Sequence, residues 1–260
     1  MKNLFLLFSC VCLWGLQTAS AGLPASPSSD PAALALLTRT VSALTAGNRL
    51  DDVKLKGTVH WRAGSEDLRG PVDLEASSSG RSQIHLDLGN RTRVELFSGD
   101  NEDPSCAWTD KDKTTRPIAT HNCWTPGAWF FPMLSILPAQ QRGNIVITYV
   151  GRETQGGLAV EHIQIQRVFL GRSKISGLLS HLSTMDLYLD GTTMLPATLK
   201  YFVHPDDDAN QDIPTEIRFS DYREVSGIKI PFHVEKLISG SMFLEIEVSS
   251  ANFNIGVLKD

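Results

Sequence analysis

The sequence predicts a mainly β (α+β) chain, a curved antiparallel incomplete β-barrel of about ten to eleven strands covered by two or three helices. Three observations carry that prediction. From Asp52 onward, apolar residues fall at every second position in one run after another. Gly-, Ser- and Asn-containing stretches such as Ala63-Gly64-Ser65, Ser79-Gly80 and Gly89-Asn90 separate the runs at turn-like spacing. Such alternation gives every strand one dry face, and two apolar segments elsewhere in the chain are the available covers.

At the start, Met1-Lys2-Asn3, the apolar run Leu4 to Leu16 and the small residues Ala19-Ser20-Ala21 read as a signal peptide over 1–21, cleaved near Ala21. The expected location is therefore exported, periplasmic or secreted. No later apolar run reaches the ~18 residues that a spanning helix needs. Residues 22–29 read as a flexible Pro/Ser-rich leader, and 30–260 as a single domain. With Lys2 removed, 23 basic residues face 29 acidic ones, a formal charge of −6. That balance argues against a nucleic-acid partner, which calls for a basic face.

Asp30 stands at an N-cap position with Pro31 at the first helical position, and Leu34, Leu37, Val41 and Leu44 follow at helical spacing up to the stop at Gly47-Asn48. Strand runs come next: Val53, Leu55, Val59 and Trp61, then Val72 and Leu74, Ile84, Leu86 and Leu88, and Val94 and Leu96. The centre breaks this rhythm with the polar crossing "DNEDPSCAWTDKDKTTRPIATHNCW", and "TPGAWFFPMLSILPAQQ" then predicts a helix capped by Thr125, with Pro126 first and Pro132 bending or restarting it. Strands resume at "NIVITYVG" and "LAVEHIQIQRVF", a short helix or loop fills 171–182, and five more strands close the chain.

In the hairpin "EIRFSDYREVSGIKIPFHVEKL", Ile217 and Phe219 alternate on one strand and Ile228, Ile230, Phe232 and Val234 on the next. Pro231 predicts an edge or bulged position, and Tyr222, Arg223 and Glu224 a polar cluster at the hairpin end.

Once the leader is cleaved, Cys106 and Cys123 are the remaining cysteine pair, and a disulfide in an oxidising compartment is the expected use of them. Its closure of the intervening loop would contribute about 3 kcal/mol. The loop "HPDDDANQD" sets Asp206, Asp208, Asn210 and Asp212 at alternate positions, as calcium loops do. Gln211 stands where such a loop needs glycine, however, and Ile217 where it needs glutamate, so a solvated hairpin loop is the expected state. The seven histidines show no short metal-ligand spacing and read as partly exposed sheet-surface residues, so no metal or cofactor is expected. There is no G-x-S-x-G, Walker A or dinucleotide fingerprint.

The stretches "VKLKGTVHW", "WTPGAWFFPMLSIL" and "LDGTTMLPATLKYF", the last with a D-x-x-T-x-L-P pattern from Asp190 to Pro196, sit in the order helix, meander, apolar helix, meander. In that order and pattern the chain resembles the periplasmic lipoprotein carriers of the LolA/LolB type over most of residues 30–253. The ending "SDYREVSGIKIPFHV" resembles a group of exported bacterial proteins of unassigned function. The carrier resemblance implies an unclosed barrel lidded by helices that shelters acyl chains without chemistry. The carriers hold the lid with an arginine on an early strand, a role assigned to none of Arg62, Arg69 and Arg81 here.

The expected function is thus an exported non-catalytic binding protein for an acyl chain or lipoprotein lipid. Trp61, Trp129, Phe130, Met133, Leu134, Leu137, Phe219 and Phe232 are the candidates for the cavity and its lid. The first alternative is an envelope protein-protein interaction or assembly module with a protein partner. The second is a hydrolase in which groups such as Asp221, Glu224 and His233 would converge.

Overall fold

A computed structural model describes residues 28–98, 103–125, 127–169 and 174–258. The expected signal peptide, the leader up to residue 27 and the helix start at Pro126 lie outside the described residues. Among the described residues, thirteen antiparallel strands form one sheet, joined by three α-helices and one 3-10 turn. The first half holds β1 (Asp52–Ala63), β2 (Glu66–Ser77), β3 (Ser82–Asp87), β4 (Thr92–Phe97), β5 (Cys106–Asp110) and β6 (Thr115–Pro117). The second holds β7 (Ile145–Gln155), β8 (Leu158–Arg167), β9 (Met185–Asp190), β10 (Pro196–Val203), β11 (Ile213–Val225), β12 (Ile228–Ile238) and β13 (Ser241–Phe253).

The two strands beyond the expected count are β5 and β6, which arise inside the segment read as a polar crossing. Ala107 and Trp108 pair onto β4, and the chain returns through a turn in which Lys113 takes a positive φ and Thr114 N donates to Asp112 Oδ1 at 2.8 Å. A short hairpin this hydrophilic has no apolar alternation to reveal it.

The strand order is β6-β5-β4-β3-β2-β1-β13-β12-β11-β10-β9-β8-β7. Every neighbour is also a neighbour in sequence except the pair β1 and β13, so the two ends of the chain meet in mid-sheet and both edges lie mid-chain. The connection from one edge to the other, residues 118–144, carries the most apolar part of the molecule across the inner face. Its helix α2 (Met133–Gln141) starts after Pro132, seven residues beyond the expected cap at Thr125.

Both edges are tied down. Ile147 N of β7 donates to Ser29 Oγ at 3.0 Å, Tyr149 N donates to Asp30 Oδ2 at 2.9 Å, and Asp30 N donates to Ile147 O at 2.9 Å. Asp30 therefore blunts an edge strand and makes no side-chain cap to the helix it precedes. At the opposite edge a disulfide joins Cys106 on β5 to Cys123, with the Cα atoms 5.7 Å apart.

Helix α1 (Pro31–Thr45) lies against β7 and β12. It buries Ala33, Leu36, Leu37, Thr40 and Leu44, while Leu34 and Val41 of the expected stripe are only partly covered. The helix seats itself where β12 and β13 part: their ladder runs from His233 to Ile238 only, leaving Ile228 to Pro231 paired with β11 alone. Pro231 falls in this stretch, paired with Tyr222 of β11 but with nothing on β13, a side on which a proline costs no ladder bond. On β11, Asp221 has a positive φ, and the ladder to β12 skips it between Ser220 and Tyr222. The register is the same on either side of Asp221; Tyr222 packs against the core and donates to Pro196 O at 2.8 Å, while Arg223 pairs with Asp221. The expected polar cluster of Tyr222, Arg223 and Glu224 is thus replaced by an inward tyrosine and an exposed ion pair.

Candidate functional site

The curl of the sheet brings β4 and β5 opposite β10, β12 and β13, with the crossing segment between them. A half-open cavity of about 310 Å³ remains there, near the lower end of the ~300–1,000 Å³ usual for small-molecule sites. Phe97, Trp108, Trp129, Ile238 and Phe243 give it an apolar wall, and Arg93, Glu95, Tyr201 and Lys236 give it polar groups.

Alternation accounts for the placement of each polar group. On β12, Ile230, Phe232, Val234 and Ile238 face inward, and Lys236 stands in the same phase. Its ammonium lies 4.8 Å from the Trp129 ring and 6.0 Å from Phe243, and among the described residues no carboxylate lies within ion-pair distance of it. Burial pushes its pKa down, Glu95 counters that shift and Arg93 adds to it. Arg93 is itself neutralised by Glu95 at 2.6 Å and lies over Trp108 at 4.4 Å. Burial, with the Glu95 charge nearby, raises the Tyr201 hydroxyl well above its ordinary pKa, so it stays protonated. The site therefore pairs an aromatic wall with one cation that makes no ion pair among the described residues.

Of the residues singled out from sequence, Trp129 lines this cavity. Phe130, Met133 and Leu134 are fully buried in the core, and Leu137 packs against its margin. Trp61 is buried edge-on against Phe243 at 4.5 Å. Phe219 and Phe232 are core residues, the latter beneath the Arg223 guanidinium at 4.4 Å. Sequence reasoning missed Arg93, Glu95, Tyr201 and Lys236. The available signal was a charge or hydroxyl in the apolar phase of a strand, as Lys236 stands between Val234 and Ile238.

The polar alternatives lie elsewhere. Asp221 and Glu224 are solvent-exposed, and His233 sits on the outer face beside Glu245 at 3.2 Å, so these three do not meet in the cavity. His60 and His162 occupy the outer face as expected but are buried there, because carboxylates fold over them: His60 Nε2 lies 2.6 Å from Asp67, and His162 lies 2.7 Å from Glu153 and 2.8 Å from Asp186. In the acidic loop, Asp208 Oδ1 accepts from Asn210 N at 2.9 Å, and Asp206 borders the cavity. Asp212 instead accepts from His181 at 2.8 Å and His204 at 3.1 Å, so the loop's oxygens do not converge as a calcium loop requires. Burial lowers the His204 pKa, against the opposing pull of Asp212.

No family profile and no curated protein matches the chain. Solved structures do. A proposed outer membrane lipoprotein-sorting protein domain from Vibrio parahaemolyticus superposes with a TM-score of 0.56 at 10% identity, covering 87% of this chain and 94% of that one. A LolA superfamily protein from Nitrosomonas europaea gives 0.53 at 8% identity, over 85% and 93%. The chain has the LolA-like fold. A DUF1329 family protein from Desulfovibrio piger shares it, with a TM-score of 0.54 at 13% identity over 90% and 95%. In this LolA-like sheet the unclosed mouth is spanned by α1 and by the crossing segment, and the cavity opens where the crossing leaves the β4–β6 edge.

Proposed function

We propose that this LolA-like chain is an exported, non-catalytic binding protein that shelters the acyl chain of a lipid or lipoprotein, with an anionic head at Lys236. The observation that carries this reading is the cavity: an aromatic and aliphatic wall supplies non-directional burial, and the ammonium of Lys236 supplies a charge held in no ion pair among the described residues. The fold adds support, since an open sheet with a helical cover leaves room for a chain to enter without unfolding the barrel.

Trp129 reports on the site directly. Titration with a long-chain fatty acid should quench or shift its emission saturably, and a fluorescent fatty-acid probe should be displaced in competition. A Trp129→Phe variant should keep the binding and lose that part of the emission change. Failure of both ligands to bind would transfer the weight to a protein-binding module.

A further inference from the structure

We propose that His181, His204 and Asp212 form a binding site for a borderline divalent transition ion, Zn²⁺ being the best match to the ligand set. The three come from separate elements: His181 from α3 (Ser176–Ser183), His204 from the end of β10, and Asp212 from the residue before β11. Both imidazole Nε2 atoms point at the same carboxylate oxygen, at 2.8 and 3.1 Å, and one ligand atom from each residue falls within a 4.8 Å group. Ligands held ~2.0–2.2 Å from a tetrahedral ion stand about 3.3–3.5 Å apart, so each histidine-to-carboxylate separation needs to widen by about 0.2–0.7 Å, with the two nitrogens, within 4.8 Å of each other, settling to the same spacing. Two nitrogens and one carboxylate favour zinc-like ions over calcium, which takes oxygens. The exposed sides of His181 and Asp212 leave a further position for water.

The cluster is held in place without an ion. Asn122 clamps the backbone of His204 from both sides, its Oδ1 accepting from His204 N and its Nδ2 donating to His204 O, each at 2.8 Å. His121 Nε2 meets Pro205 O at 2.8 Å, and the His181 ring stacks on Phe202. His204 Nδ1 is buried with no hydrogen-bond partner. Moving the ring proton there frees the Nε2 lone pair without breaking any bond at Nδ1. A second histidine-carboxylate cluster, His233 with Glu245 and Glu247, is built differently: each ring nitrogen faces its own glutamate, at 3.2 and 3.9 Å, which is an ion-pair arrangement.

The site requires nothing bound in the cavity, so its test is independent of the lipid reading. EDTA-stripped protein is titrated with ZnCl₂ by calorimetry, and with Co²⁺ while its visible absorption is followed. The expected result is saturable binding of one ion per chain, with His181→Ala and Asp212→Asn each weakening it at least ~100-fold, more than loss of an outer-shell partner does. His181 is exposed, so His181→Ala should melt like the wild type in EDTA even where His204→Ala does not fold. Absence of saturable binding, or binding kept in both variants, or binding lost instead in Glu247→Gln, would overturn the proposal.

Discussion

Replacing Lys236 with methionine separates the charge of the candidate site from its shape. The ammonium lies inside the curl of the sheet between Trp129 and Phe243, with Glu95 attracting it and Arg93 repelling it. Methionine keeps the length and removes the desolvated cation, so the free protein should gain about 1 kcal/mol, a rise of ~2–4 °C in melting temperature for a chain of this size. The folded-state pKa lies below the unfolded one, so the unfolded chain holds the proton more tightly. Wild-type stability should therefore rise with pH up to about 10.4 from this group, a slope that Lys236→Met lacks. Binding should move the other way. A charge-assisted hydrogen bond contributes about 1.5–3 kcal/mol, which corresponds to a roughly 10- to 150-fold weaker Kd for a fatty acid. The methyl ester of the same acid should bind the two proteins alike. Calorimetric titration with acid and ester, alongside thermal melts, reads all of this. A variant that is destabilised, or that binds the carboxylate as tightly as the wild type, would refute the reasoning.

Other perturbations test the frame around the site. Reducing the disulfide between Cys106 and Cys123, 17 residues apart, should cost about 3 kcal/mol and lower the melting temperature by ~6–12 °C, measured with and without reductant. Phe130→Ala, at a fully buried position of the crossing segment, should cost about 3–5 kcal/mol in a denaturant titration. Gly70→Ala should fail to yield soluble protein, because a Cβ there would overlap the carbonyl oxygen of Asp87. In EDTA, the neutral, buried His204 gives stability that is complete above pH ~6.5 and declines as the pH falls through its lowered folded-state pKa. A His204→Gln variant should flatten that part of the melting curve against pH.

The strands with one dry face were legible, because period-two alternation follows directly from the pleat: Val53 and Leu55, or Ile228 and Ile230, could sit only one way. The hairpin of β5 and β6 was not legible, since Trp108 is its one large apolar residue and its partner strand is Thr-Arg-Pro. Register effects were also hidden. Nothing local marks Asp221 as the residue that takes a positive φ, or Tyr222 beside it as one that packs against the core. The cavity was half visible. Trp129 stood out by composition, but Lys236 and Glu95 acquire meaning only when the sheet curls and sets strands far apart in its order against each other. The histidine cluster was invisible for the same reason, its members being separated by 23 and 8 residues and gathered by the β10–β11 connection.

Native mass spectrometry of the protein purified without delipidation, followed by organic extraction, tests the central claim most directly. The account expects a mass above that of the polypeptide and an extracted lipid with an acyl chain and an anionic head, released in stoichiometric amount and lost from Lys236→Met. A protein that carries nothing, and that also fails to take up fatty acid when it is supplied, would contradict it.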